Sequence, residues 1–258
     1  MDPLGKVLGL DHYERAARLY PALLAVAPAS AIVVLWAPDA SALVRSAVGA
    51  VVTVGVTLLL MRYGRAKGRA VQDRMIERDG GLGSTLALRH RDRAFATATK
   101  ERYHAFLRSK GLLMPNRAEE EADPASADDR YRSAADWLRV QTRDSKKFAF
   151  LHAENRDYGF RRNLLGLKPL GLSMAIVALC ADLALLWLLP VAETQRIAGL
   201  ILAAVLAVAS MVWIFVVTID FVADASRSYT EQLFACCDLL HELPPRTTRR
   251  TTKTKPST

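Results

Sequence analysis

Three groups of residues have chemistry to offer. The first lies inside apolar runs: Arg45 within 41–61 and Asp182 within 170–189. An ionised side chain at the centre of a bilayer costs roughly 2.5–3.5 kcal/mol on insertion scales, so such residues face the protein interior or water. Arg45 and Asp182 either form an ion pair between two spans, snorkel to the outer interface, or line a pore vestibule. On the same run as Arg45, the residues Ser46, Gly49, Thr53 and Thr57 are spaced by three, four and four and share one helical face. Such a stripe lets helices approach closely, or lines a water-filled path in an oligomer. The second group is a basic stretch, Arg89, Arg91, Arg93, Lys100, Arg102 and Arg108, with Tyr103 and Phe106 interleaved. Guanidinium groups bind phosphates and aromatic rings stack on bases; a solvated helix surface has the same composition. The third is Tyr158, Gly159, Phe160, Arg161 and Arg162, placed just before the 170–189 run, where a cytoplasmic segment enters the membrane.

No catalytic constellation accompanies them. His12, His90, His104, His152 and His241 are scattered, and no Walker loop, HExxH or nucleophile elbow occurs. Gly80-Gly81-Leu82-Gly83 lacks a following Lys and a preceding strand, and reads as a hinge. The three cysteines, Cys180, Cys236 and Cys237, provide neither a disulfide framework nor a zinc pattern. Cys236-Cys237 is either buried or a site of reversible acylation. The expectation is a protein that is not an enzyme and takes no cofactor or metal.

The elements that position these groups follow from how apolarity and charge are distributed. The 258 residues are 51% hydrophobic yet carry a net charge of +9, values that suit one chain only if the two kinds of residue are segregated. Residues 1–20 mix both charges and hold no short apolar core with a small-residue cleavage site, so the first apolar run reads as a permanent span. The runs at 20–37, 41–61, 170–189 and 197–219 are each long enough for a transmembrane helix and too long for strands. Pro28 lies within the first, where a membrane helix tolerates a kink, and Trp36 lies at its end, where an amphipathic ring suits the interface. Gly199, Ala203 and Ala207 form a small-residue packing seam on the fourth. The short links 38–40 and 190–196 hold one Lys or Arg between them, while 62–168 holds 24. By the positive-inside rule both termini and the 62–168 segment are cytoplasmic.

The fold class is thus all-α: a polytopic membrane protein with four transmembrane helices and a helical cytoplasmic domain inserted between spans two and three. Its parts are 1–61 with the first two spans, a basic cytoplasmic domain at 62–169, spans three and four at 170–221, and 222–258 as an amphipathic helix with a basic tail. Within the domain, 63–79 reads as helix and Ser84 as a cap for a long helix over 85–109. An acidic linker with Pro124 follows, then a helix from Ser126 through Trp137, Leu138, Phe148 and Leu151. Residues 62–117 hold 14 Lys or Arg against five acids, and 130–168 hold ten against four. That excess extends beyond what topology requires. Arg62, Arg65, Lys67, Arg69, Arg161, Arg162 and Lys168 lie where anionic lipid headgroups would meet them; Arg89 to Arg108 do not.

Several motifs carry a resemblance. They are Tyr13-Glu14-Arg15-Ala16-Ala17-Arg18-Leu19-Tyr20-Pro21, Trp137-Leu138-Arg139 with Thr142-Arg143-Asp144, and Glu154-Asn155-Arg156-Asp157-Tyr158-Gly159-Phe160-Arg161-Arg162-Asn163-Leu164, continuing to Gly166-Leu167-Lys168-Pro169. In these and in its layout the chain resembles the transmembrane effectors of Hailong-type bacterial anti-phage defence systems, which partner a nucleotidyltransferase. The resemblance implies an oligomeric ion channel of the inner membrane, a tetramer, held closed by a single-stranded oligonucleotide that the partner enzyme makes. Loss of that ligand would open it and depolarise the cell in an abortive-infection response. The competing expectation is a non-conducting membrane scaffold or sensor that docks a cytoplasmic protein.

Overall fold

The computed structural model of the chain describes the backbone of residues 11–36 and 42–242, and their side chains apart from those of 42–53 and 242. All regular structure in those residues is helical. Helix α1, His12–Trp36, is capped by Asp11, whose carboxylate accepts the Glu14 N–H at 2.6 Å. Helix α2, Ala42–Asp79, is a single element of 38 residues. It stops at Gly80 and Gly81, whose φ values of +74° and +157° only glycine adopts readily. The Gly81 N–H there closes back onto the Ile76 carbonyl at 3.0 Å, the six-to-one bond of a Schellman end.

The 85–109 stretch is not one helix. It divides into α3, Gly83–Leu86, a run of turns, and α4, Thr97–Ser109. The turns persist because side chains take the carbonyls that a helix would have used. Lys100 Nζ donates to the Arg89 and Asp92 carbonyls at 2.6 Å each, and His104 Nε2 lies 2.9 Å from the Leu88 carbonyl. Ser84 does not cap; it lies inside α3, buried, and its hydroxyl takes a hydrogen bond from Arg139.

The expected acidic linker is also structured. Helix α5, Arg117–Ala122, starts on a capping box of Asn116 and Glu119. Pro124 occupies the first turn of α6, Pro124–Gln141, where its missing N–H leaves no bond unmade. The helix expected to pass through Phe148 instead ends at Gln141, and a turn built on Asp144 intervenes, its carboxylate accepting the N–H groups of Lys146 and Lys147.

Helix α7, Ala149–Leu188, then runs for 40 residues through Pro169 without a break. At 1.5 Å per residue that is about 60 Å, twice the ~30 Å of a bilayer core. Helix α8 covers Glu193–Phe215, and α9 covers Ile219–Glu242 after a break at 216–218. The break falls before the apolar run ends. Lys168 causes it: its Nζ donates to the carbonyls of Ile214 and Val217 at 2.9 Å each, a cation on the negative end of α8. Lys168 is therefore a helix cap in this fold.

Helices α1, α7 and α8 are long and apolar enough to cross a membrane. Two apolar clusters organise the rest. One is a head, where Leu88, Leu107, Tyr131, Leu138 and Phe234 from α4, α6, α9 and the turns are fully or nearly fully buried. The other joins α1, α2, α7 and α8 through Leu19, Met61, Leu167, Ala175 and Trp213. Helix α7 packs against α1, α2, α8 and α9 and is the axis of the fold.

Candidate functional site

Helices α2 and α7 cross beside the second cluster, next to Leu164 and Leu167, and the crossing is built from glycines. A Cβ on Gly166 would lie 2.6 Å from the Gly68 backbone nitrogen and 2.9 Å from the Lys67 carbonyl carbon. On Gly64 it would lie 3.0 Å from the Leu167 side chain. Asn163 is buried between them and donates from Nδ2 to the Ala17 carbonyl at 2.6 Å. Ala17 belongs to Arg15–Leu19, a π-helical turn inside α1. Such turns are rare and occur often at functional sites.

The five residues Tyr158, Gly159, Phe160, Arg161 and Arg162 all lie in this node. A Cβ on Gly159 would come 2.8 Å from the Tyr13 hydroxyl and 3.0 Å from Ala17 Cβ, so α1 rests directly on the α7 backbone. Tyr158 stacks on Tyr229 of α9 at 6.4 Å and 18°. The Arg162 guanidinium lies 5.5 Å above the Tyr158 ring and donates to Gln72 of α2. Arg161 pairs with Asp157 at 2.8 Å, covers the Phe221 ring at 4.5 Å and donates to the Phe221 carbonyl at 3.2 Å. Phe160 packs against the membrane-side cluster. Burial holds the Tyr158 and Tyr229 phenols above their ordinary pKa, so both stay neutral. Arg139 lies beside Tyr229 and reaches Ser84 of α3. A contact chain thus runs from α1 and α2 through α7 to the head. The motifs Tyr13–Pro21, Trp137–Asp144 and Glu154–Pro169 all contribute to it.

The six basic residues separate into three kinds. Arg89 and Lys100 are internal fasteners. Arg89 grips Asp128 through Nε at 2.7 Å and donates to the Gly80 carbonyl at 2.9 Å. Lys100 is 4% exposed, and burial lowers its pKa. Arg91 lies 3.8 Å from Glu120, and Arg102 pairs with Asp238 of α9 at 3.0 Å. Arg93 and Arg108 are exposed and have no ion-pair partner among the described residues. Charge alone did not distinguish these classes, because the partner carboxylates lie far away along the chain.

Of the residues expected inside the membrane, Arg45, Ser46, Gly49 and Thr53 have side chains outside the described residues. Thr57 is buried. Asp182 is fully buried, and its Oδ1 accepts the Trp36 indole N–H at 2.7 Å. Trp36, expected at the lipid interface, thus links the end of α1 to α7. Trp36→Phe is expected to destabilise the chain by about 1–2 kcal/mol, the penalty for an unpaired buried acceptor. Thermal denaturation in detergent measures it, and an unchanged midpoint would show that the bond contributes nothing. Gly199, read as a packing seam, does pack: a Cβ there would press into Leu186 of α7.

Sequence reasoning passed over the Gly64-x-x-x-Gly68 spacing within Met61–Arg69, a stretch weighed for charge alone. With Gly166 on α7, it signals two helices in backbone contact. No protein-family model, curated protein or solved structure matches this chain significantly. The fold and site define a class: among the described residues the chain is all-helical, with three helices long and apolar enough to cross a membrane, one of which, α7, continues into a packed helical head.

Proposed function

We propose that this chain is an oligomeric ion-channel effector of bacterial anti-phage defence, gated through its head by a single-stranded oligonucleotide. In this reading residues 41–61 form a fourth span, both termini and the head are cytoplasmic, and the protein lies in the inner membrane. The observation that carries the reading is the pair of unbroken helices, α2 of 38 and α7 of 40 residues; in this reading each joins a span to the head. They cross at Gly68 and Gly166 with backbones in contact. A ligand that tightens the head biases both helices at once, which is the differential interaction that gating requires. The motif resemblance supports the choice of channel, of oligonucleotide, of tetramer and of a nucleotidyltransferase as functional partner.

Purified oligomer reconstituted in liposomes without ligand is expected to pass ions, and added oligonucleotide to reduce the flux. Ion-tight liposomes from well-folded oligomer would overturn the channel reading; tight binding of a protein partner without current would select the scaffold. The exposed cations Arg93 and Arg108 are the informative ones for the ligand. Reversing both to Glu is expected to weaken oligonucleotide binding. The slope of log affinity against log salt should flatten by about 0.7 for each phosphate that is no longer neutralised. Reversal of Arg89 would instead break its pair with Asp128 inside the head.

A further inference from the structure

A groove of about 670 Å³ lies between α1 and α2, lined by Glu14, Arg18, Gly55, Leu59, Arg62 and Arg65 among others. Its two ends differ in chemistry. Arg62 and Arg65 are exposed at one end, with Arg18, presented by the π-helical turn, beside them. Three guanidinium groups face one carboxylate there, and Glu14 already pairs with Arg18. The crowding of like charge is real: Arg18 and then Arg69 push the Arg65 pKa down, against weaker opposing pulls from Tyr13 and Glu14. At the other end the floor is apolar. Leu58 and Leu59 are 40% and 70% exposed, and a Cβ on Gly55 would meet nothing within 4 Å.

We infer that this groove is a binding site for one anionic phospholipid, whose phosphate sits on Arg18, Arg62 and Arg65 and whose acyl chain lies over Leu59 along the opening at Gly55. The stretch of α2 from Gly55 to Arg65 spans about 15 Å of helix, the length of a headgroup and the first half of an acyl chain. A nucleotide would bring sugar and base onto Leu58 and Leu59, which have no hydrogen bonds to give. The occupant would brace α1 against α2 one turn from the Gly64 and Gly68 crossing. The inference rests on residues 41–61 spanning the membrane, and is independent of conduction.

Native mass spectrometry on the full chain in detergent tests it, with phosphatidylglycerol, phosphatidylcholine of the same chains, and glycerol 3-phosphate as probes. Phosphatidylglycerol is expected to bind roughly tenfold more tightly than phosphatidylcholine, a difference of about 1.4 kcal/mol. R62Q with R65Q is expected to remove that preference. Gly55→Leu puts a side chain into the opening, where a Cβ meets nothing within 4 Å, and is expected to weaken the lipid by a similar factor without lowering the melting midpoint. Equal binding of the two lipids, wild-type affinity in Gly55→Leu, or displacement of the lipid by glycerol 3-phosphate would each overturn the site. Recovery of the chain from cells without detergent would instead overturn the four-span reading beneath it.

Discussion

Gly166→Ala is expected to destabilise the protein by about 2 kcal/mol, and Gly55→Ala, on the helix it crosses, to stabilise it by up to about 1 kcal/mol. Both replace a helical glycine, which in isolation gains about 1 kcal/mol of helix propensity. Their surroundings set the opposite signs. The Gly55 Cβ would enter open space, whereas the Gly166 Cβ would come 2.6 Å from the Gly68 nitrogen. Backbone cannot rotate away as a side chain can, so α2 and α7 must separate. Overpacking of this kind costs about 1–3 kcal/mol, and a contact against main chain belongs at the upper end. Gly166→Leu should prevent recovery of folded protein. The measurement is the thermal midpoint of the purified full chain in detergent, with the two alanine variants side by side. If they shift in the same direction, the crossing is not held by close contact. In the proposed channel, Gly166→Ala would also alter ligand-dependent flux, because it moves the point where both long helices leave the head.

The large features of the fold were legible because the bilayer imposes its pattern on sequence. Runs of about twenty apolar residues mark out α1, α7 and α8 by pattern alone. The interior of the head was less legible, for a physical reason. The stretch from Leu86 to Phe106 has helical periodicity, and the side chains of Lys100 and His104, which reach back to carbonyls of the turns, interrupt it. That interaction leaves no mark in the hydrophobic pattern. The acidic segment misled in a similar way. Its charges read as solvated, but Glu120 is 3% exposed and accepts from the His90 N–H and the Tyr131 hydroxyl at 2.7 Å each. The residues of the junction, Tyr158 to Arg162, were found through the motif and their place next to a span. What they touch was not, because Tyr13, Gln72, Phe221 and Tyr229 come from three other helices distant in sequence.

Acid is expected to open the head before it disturbs the membrane-crossing helices. His104 is 1% exposed, with Nε2 2.9 Å from the Leu88 carbonyl and its ring edge-on to His90 at 4.8 Å. Burial, with smaller contributions from His90, Arg108 and Lys100, lowers its pKa from 6.5 to about 4. An unfolded chain therefore takes a proton at His104 between pH 6.5 and 4 that the folded chain refuses, so stability falls as pH falls through that window. The full difference is worth roughly 3 kcal/mol. Glu120 extends the loss. Burial alone would raise its carboxyl, but the His90 N–H, the Tyr131 hydroxyl and the Arg91 N–H outweigh burial and hold it below its usual value. Its contribution is present above about pH 4.5 and is lost below. Hydrogen exchange separates the regions: protection factors in α4 and α6 should drop between about pH 7.5 and 5, while those of α8, which has no histidine, should not. His104→Gln retains an N–H to offer Leu88 and removes the titration. It should flatten the dependence between pH 6.5 and 4 and leave the steeper loss below 4.5 in place. If the wild-type slope persists in that variant, the acid sensitivity of the head belongs to another group.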